Sequence, residues 1–270
     1  MPPRAGVPAD PGSKLGAMSR SWAVVTGASS GLGVGYAERL AAEGNNVLLV
    51  ARRRDLLESV ATSIRATTGV EAEIWPADLT DRGERARLAA RIAELDVSHL
   101  VNNAGFGTMG QFKDASPDRV SDEMELNMVA LTELTRSVLP HMVARGAGAI
   151  INVASTAAFQ PIPTMAVYAA SKAYVMQFTI ALWEELYSTG VRAIVICPGP
   201  TDTEFFANAG DDGVMRRRRT IPQVVETTFA GLRAHRPLVV DGPQNAAMAL
   251  ATRLVPVHLL ARFARMVATS

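Results

Sequence analysis

The sequence predicts an α/β protein: one doubly wound parallel sheet of about seven strands with helices on both faces. Three observations carry that reading. From Trp22 onward, short β-rich runs alternate with longer stretches of helical period. Most of the runs are continuous apolar stretches, as expected of strands covered on both faces. The first run enters its helix through a glycine-rich turn.

The first strand is "WAVVT" (22–26), and the turn "TGASSGLG" places Gly27, Gly31 and Gly33 between it and a helix over 31–43. Glycine permits a tight turn and close backbone approach to a pyrophosphate, which the N–H groups of a helix N-terminus then stabilise. The spacing G-x-x-x-G-x-G is not the usual dinucleotide fingerprint, and taken alone it reads equally as a structural turn. The second strand, "NVLLV" (46–50), ends at Ala51, where a fold that binds NAD would place a carboxylate for the ribose 2′-hydroxyl. Arg52, Arg53 and Arg54 follow. A carboxylate repels a 2′-phosphate and a guanidinium pairs with it, so NADP(H) is favoured over NAD(H). Arg52 is the expected first phosphate ligand and Arg53 the second, with Arg54 a solvated helix start. Ser30 stands where a further basic residue would have strengthened the case.

The alternation continues through a helix at 54–67, "EAEIW" (71–75), a helix at 81–95, "SHLVN" (98–102) and one long helix at 117–145. "AIINVA" (149–154), a helix at 168–189, "VRAIVI" (191–196), a helix at 222–234 and "PLVVD" (237–241) complete it. Right-handed crossovers make such a series a parallel sheet. No composition break marks a second domain. Residues 1–20, rich in Pro, Gly and Ala without a signal-peptide core, read as a disordered leader, with Met18 an alternative start. Residues 21–242 form the expected domain and 243–270 a helical tail.

Composition excludes several classes. Hydrophobic residues at 48% with 20% charged fit a globular chain rather than a disordered one. A formal net charge of +1 gives no drive toward nucleic acid. A single cysteine, Cys197, permits neither an internal disulfide nor a thiolate metal cluster, and suits a reducing, cytoplasmic setting. His99, His141, His235 and His258 lack metal-ligand spacing and read as surface or structural residues, so no metal is expected. No apolar run is long enough to span a membrane.

"TGASSGLG", "NNAG" (102–105), Asn127, Ser155, "YAASK" (168–172) and "PGPTDT" (198–203), in that order, resemble the short-chain dehydrogenase/reductase family over roughly residues 21–241. The resemblance implies a Rossmann-type fold and an oxidoreductase that moves hydride between nicotinamide and a ketone or secondary alcohol. It implies that Gly27, Ser29, Ser30, Gly31, Leu32 and Gly33 cradle the cofactor, with Asp78 and Leu79 at the adenine. Asn103, Ala104 and Gly105 would pass the adenosine ribose, and Pro198, Gly199, Thr201 and Thr203 the nicotinamide side. Asn127, Ser155, Tyr168 and Lys172 match the catalytic tetrad. By analogy the chain would form a homodimer or homotetramer. A non-catalytic NADP-binding regulator or scaffold is the alternative, against which the intact tetrad speaks.

Tyr168 and Lys172 stand at i and i+4, on one face of a helix. A free phenol titrates near ~10, and a neighbouring ammonium would lower that value toward the working range. Tyr168 would protonate the carbonyl oxygen, Ser155 would hold it, Lys172 would also bond the nicotinamide ribose, and Asn127 would hold a water for proton resupply. Taken alone, a Tyr-x-x-x-Lys pair reads as an ordinary helix surface; the upstream motifs tip it to catalysis.

Substrate choice falls to residues 201–220. Phe205, Phe206, Val214 and Met215 would form an apolar lid moving on Gly210 and Gly213, with Phe106 and Phe159 also lining the pocket. The run Arg216–Arg219 reads as a solvated face or as a site for a phosphate-bearing acyl thioester. In the tail, Leu250, Leu254, Val257, Leu260 and Phe263 fall at near-helical spacing interrupted by Pro256. That stripe would pack on the core or a second subunit, or touch a membrane surface peripherally.

Overall fold

The computed structural model describes residues 20–201 and 219–268. Its strands are β1 (Trp22–Thr26), β2 (Asn46–Ala51), β3 (Ala72–Pro76), β4 (Val97–Asn102), β5 (Gly148–Val153), β6 (Val191–Cys197) and β7 (Leu238–Val240). All pair in parallel, in the order β3-β2-β1-β4-β5-β6-β7. The helices are α1 (Gly31–Ala42), α2 (Arg54–Thr68), α3 (Arg82–Ala93), α4 (Pro117–Met124), α5 (Leu131–Arg145) and α6 (Ala166–Glu185). After the second described stretch begins come α7 (Ile221–Arg233), α8 (Pro243–Ala251) and α9 (Val257–Ala268).

The continuous apolar runs are explained by β2. Val47 and Leu49 pack with Leu40 of α1 and Leu57 of α2, while Leu48 and Val50 face Leu88 of α3 and Leu100 of β4. Alternate side chains of a strand leave on opposite faces, and with a helical layer on each face both sets must be apolar. Strand order reverses between β1 and β4, so a crevice opens at their carboxyl ends, where ligands bind in such sheets. Thr26 and Gly27 leave β1 there, and Asn103 leaves β4 beside them.

One expectation changes. The helix expected over 117–145 is interrupted by a wide π turn, Glu125–Ala130, between α4 and α5. Helical period continues through such a turn, so the sequence does not reveal it. Arg85 of α3, 3% exposed, ties this segment down: it pairs with Glu125 at 2.9 Å and Glu133 at 2.7 Å, and donates to the carbonyls of Leu79 and Thr80. The tail breaks into α8 and α9 on either side of Pro256; α8 rests against β7 with Ala249 buried, whereas Leu254, Val257, Phe263 and Met266 are exposed. The expected leader, apart from Arg20, and the lid residues 202–218 lie outside the described residues.

Candidate active site

The glycine turn is held open by its neighbours. Gly27 and Gly31 take φ of 67° and 57°, the left-handed region that side chains disfavour. A Cβ on Gly33 would run into the Gly27 carbonyl oxygen, so the turn closes only without one. Asn103 Nδ2 donates to the carbonyls of Thr26 (3.0 Å) and Gly27 (3.3 Å). The Thr26 hydroxyl in turn accepts the N–H groups of Asn103 and Ala104, both at 3.0 Å. Ser30 stands at the N-cap of α1 without a side-chain capping bond, and the first turn carries no acid, so the helix's positive end faces the crevice. This cradle fits the pyrophosphate of a nicotinamide dinucleotide.

The two expected phosphate ligands part company. Arg53 Nη2 donates to the hydroxyls of Ser29 (3.2 Å) and Ser30 (2.9 Å), which brings it over the turn. Arg52 faces Asp78 instead, 3.9 Å from its carboxylate, with both side chains largely exposed. Asp78 also accepts from the Thr80 N–H and hydroxyl, and Leu79 is buried. Of the two arginines, Arg53 is the one bonded to the turn.

The four tetrad candidates gather from three segments at the carboxyl edge of the sheet. Ser155 follows β5 and caps a short 3-10 turn, Thr156–Phe159, by accepting the Ala157 N–H at 3.1 Å. Its side chain also hydrogen-bonds the phenol of Tyr168. Lys172, one turn further along α6, is buried and donates to the Val153 carbonyl at 2.9 Å, with Nζ 5.7 Å from the Tyr168 ring centroid. Asn127 is presented by the π turn: its Nδ2 donates to Phe106 O (2.9 Å) and Ser171 Oγ (3.0 Å), and its Oδ1 accepts the Phe106 N–H at 3.1 Å. A Cβ on Gly105 would stand 2.8 Å from Asn127 Oδ1 and 3.4 Å from Lys172 Nζ, so both converge on that glycine.

Burial controls the titration here. Desolvation pushes the Tyr168 phenol up to about 12, against the lowering effect of its bond with Ser155 and with the Glu123 charge adding to the rise. It pushes the Lys172 ammonium down to about 8, opposed by the Cys197 and Glu123 charges. The expectation that Lys172 draws the phenol toward neutrality is thus corrected for the protein alone: a desolvated phenolate costs more than an ammonium 5.7 Å from the ring centroid returns. With its pKa raised by burial, the Tyr168 phenol stays protonated across the physiological range in the protein alone.

On the nicotinamide side, Pro198 O accepts the Thr156 N–H at 2.9 Å, and Thr201 Oγ1 donates to Gly199 O at 3.0 Å. A Cβ on Gly199 would collide with Asn245 of α8. Among substrate candidates, Phe106 lies under the Arg119 guanidinium, 4.0 Å from the ring centroid, and Phe159 is half-buried against Val175 and its neighbours. Thr203, Phe205, Phe206, Val214, Met215 and Arg216–Arg218 fall outside the described residues. Arg219 is described, and its guanidinium makes two 2.9 Å bonds to the fully buried Asp241 carboxylate. Arg219 is thus held in an ion pair with Asp241. Among the described residues no three His, Cys, Asp or Glu side chains gather as a metal site would need.

Sequence reading missed three contributors. Thr26 and Ser171 lie inside the quoted motifs, but their roles as acceptor for the 103–104 amides and as the link from Asn127 to the Tyr168 carbonyl emerge only from geometry. Glu123, fully buried in α4, carried no signal because "SDEME" reads as a solvated face.

Residues 21–213 match a family model described as short chain dehydrogenase. The chain is similar to human 17-beta-hydroxysteroid dehydrogenase type 3, at 35% identity over 184 residues, covering 67% of this chain and 59% of that one. It is similar also to a very-long-chain 3-oxoacyl-CoA reductase of Anas platyrhynchos, 36% identical over 189 residues, 68% of this chain and 61% of that one. The chain thus spans about three-fifths of the length of these relatives. Among solved structures, a short-chain dehydrogenase from Sphingobium yanoikuyae in complex with NADPH superposes with a TM-score of 0.81 at 33% identity, covering 86% of this chain and 91% of that one.

Proposed function

The chain belongs to the short-chain dehydrogenase family of oxidoreductases, and from that premise we propose that it is an NADP(H)-dependent carbonyl reductase or alcohol dehydrogenase acting between a ketone and a secondary alcohol. One observation carries the reading: the Tyr168 phenol is bonded to Ser155 and followed one helical turn later by a buried lysine.

In this reading the glycine turn holds the pyrophosphate, Arg53 with Ser29 and Ser30 holds the 2′-phosphate, and the bound nicotinamide supplies the hydride. Ser155 and Tyr168 hydrogen-bond the carbonyl oxygen of the substrate and fix it in line. As negative charge builds on that oxygen, the Tyr168 hydroxyl gives up its proton to it. Lys172 stabilises the phenolate left behind, because its ammonium lies 5.7 Å from the ring centroid and is itself desolvated. Asn127, pinned to the Phe106 backbone and to Ser171, keeps the start of this lysine's environment fixed. Run in the other direction, the same groups take the proton from an alcohol.

The test is a screen of cofactor oxidation by the purified protein against ketones, aldehydes, oxo-steroids and oxoacyl thioesters, with NADPH and NADH in parallel. Turnover with NADPH on a ketone supports the reading. Cofactor binding without turnover on any carbonyl would replace it with the regulatory one.

For the tail we propose a peripheral contact of α9 with an anionic membrane surface. No helix among the described residues is long and apolar enough to cross a membrane, but no acid follows Asp241, while Arg253, His258, Arg262 and Arg265 do. Phe263 and Met266 are exposed beside them.

A further inference from the structure

The turn that follows β6 is tied down at each of its first three carbonyls. Pro198 O accepts the Thr156 N–H at 2.9 Å, Gly199 O the Thr201 hydroxyl at 3.0 Å, and Pro200 O the Arg219 N–H at 3.0 Å. The last of these accompanies a parallel bridge between Thr201 and Arg219, so the chain leaves the turn and returns to it side by side. From there the Arg219 guanidinium reaches Asp241, just past β7, with Nε and Nη2 each 2.9 Å from a different carboxylate oxygen. Asp241 is fully buried.

These contacts close into a ring. The Asp241 N–H donates to Cys197 O at 3.1 Å, immediately before the turn, and the Asp241 carbonyl accepts from Asn245 Nδ2 of α8 at 2.7 Å. Asn245 in turn covers Gly199, where a Cβ would stand 2.2 Å from Nδ2. A planar guanidinium meeting a carboxylate at two points fixes direction as well as distance. Burying such a pair adds little net stability, since apolar side chains of similar volume often do as well. What this pair supplies is a fixed position for the turn. That turn is the one expected to pass the nicotinamide, and its Pro198 carbonyl is bonded to the residue that follows Ser155.

We propose that Arg219 and Asp241 are positioning residues for the nicotinamide end of the dinucleotide: they hold the Pro198–Thr201 turn where it restrains that ring, and leave the adenosine end untouched. This rests on the NADP(H) reading. The effect is local because of where the parts lie in the sheet. The glycine turn and Arg53 follow β1 and β2, whereas the pair joins the ends of β6 and β7, with β4 and β5 between.

The experiment measures by calorimetry the dissociation constants of NADPH and of 2′-phospho-ADP-ribose, the same molecule without its nicotinamide, for the wild type and for Asp241→Asn. Asparagine keeps the shape of the carboxylate, and the Arg219 side chain it releases is 32% exposed, so the cation can turn to water. The wild type is expected to bind NADPH about tenfold tighter than the fragment, and Asp241→Asn to cut that ratio about fivefold or more. The fragment's own dissociation constant should change by less than about twofold. Arg219→Lys, which keeps the charge without the two-point grip, should lie between. A pair that merely supports the fold would weaken both ligands alike, so equal losses overturn the proposal, as does an unchanged ratio. If Asp241→Asn does not fold, Arg219→Lys is read in the same way. A wild type that binds only NADH and ADP-ribose refutes the NADP(H) preference alone, and the ratio for that pair of ligands then decides the positioning role. One that binds none of the four sinks the cofactor reading and this proposal with it.

Discussion

Arg53 Nη2 lies 2.9 Å from the Ser30 hydroxyl, so the guanidinium that follows β2 reaches across to the turn that follows β1. In the proposed reading a cation held there would meet the 2′-phosphate, whereas Arg52 is turned to Asp78. Arg53→Ala is expected to raise KM for NADPH about tenfold or more, the loss of one charge-assisted contact of roughly 1.5–3 kcal/mol. KM for NADH should change by less than about twofold, and Arg52→Ala should do less than Arg53→Ala with NADPH. Equal losses with both cofactors would mean that Arg53 merely props the turn.

Tyr168→Phe removes the phenol proton that, in the proposed arrangement, both Ser155 and the carbonyl oxygen reach. The ring is buried, and phenylalanine fills the same volume, so folding should be retained. We expect kcat for ketone reduction to fall by roughly 10²–10⁴, the usual worth of a positioned acid, with the dissociation constant for NADPH nearly unchanged. Turnover close to wild type would remove the phenol from the chemistry.

Lys172 also leaves a mark on stability. Burial holds its ammonium down to about 8, below the ~10.4 of an unfolded lysine. Between those values the unfolded chain binds more protons than the folded one, so this group makes stability rise with pH across the interval. Tyr168, held up to about 12 by burial, acts in the opposite sense only above about 10, where an unfolded tyrosine loses its proton. Measured by thermal melting without cofactor, the wild type should therefore gain on Lys172→Met between about pH 8 and pH 10. A constant difference from pH 7 to pH 10 would show that the ammonium is not desolvated.

The degree to which the molecule could be read from its sequence follows from what sets each feature. The strands were legible because a two-sided core demands uninterrupted apolar residues, as β2 shows with Val47 and Leu49 on one face and Leu48 and Val50 on the other. The positions of Ser155, Tyr168 and Lys172 were legible because motif spacing maps onto a strand end and one helix face. The π turn at Glu125–Ala130 was not, since its cause is tertiary: Asn127 reaching Phe106 and Ser171, and Arg85 reaching Glu125. Nor was the burial of Glu123, because the residues around it in "SDEME" are charged and it is the packing of other segments on α4 that covers it. The order of Arg52 and Arg53 was likewise undetermined by adjacency alone; a helix start rotates neighbours to different sides.

Arg85→Ala tests the anchor of that π turn. The arginine is 3% exposed, lies in ion-pair distance of two acids and donates to two backbone carbonyls. Its removal strands the Leu79 and Thr80 carbonyls in a buried position, a loss of about 2–4 kcal/mol. For a domain of this size that corresponds to a fall in melting temperature of roughly 5–15 °C. A shift under about 2 °C would show that the carbonyls find other partners and that the turn stands without the arginine.

The proposed contact of α9 with a lipid surface has its own signature. At 100° per residue, Leu259, Phe263 and Met266 fall on one side of the helix, and His258, Arg262 and Arg265 on another. Phe263 and Met266 are 63% and 64% exposed, and residues 242–270 contain no Asp or Glu. An apolar stripe flanked by cations is the form of a helix lying in a membrane interface, with basic side chains each contributing about 1 kcal/mol toward anionic lipid. The protein should therefore sediment with vesicles rich in anionic lipid and much less with neutral ones, and added salt should weaken the binding. Phe263→Glu combined with Met266→Glu should abolish it while leaving the melting temperature nearly unchanged, because neither side chain is buried in the fold. If the same double variant instead releases monomers from a larger species in gel filtration, and vesicle binding is absent in the wild type, the stripe is a subunit interface and the membrane proposal fails.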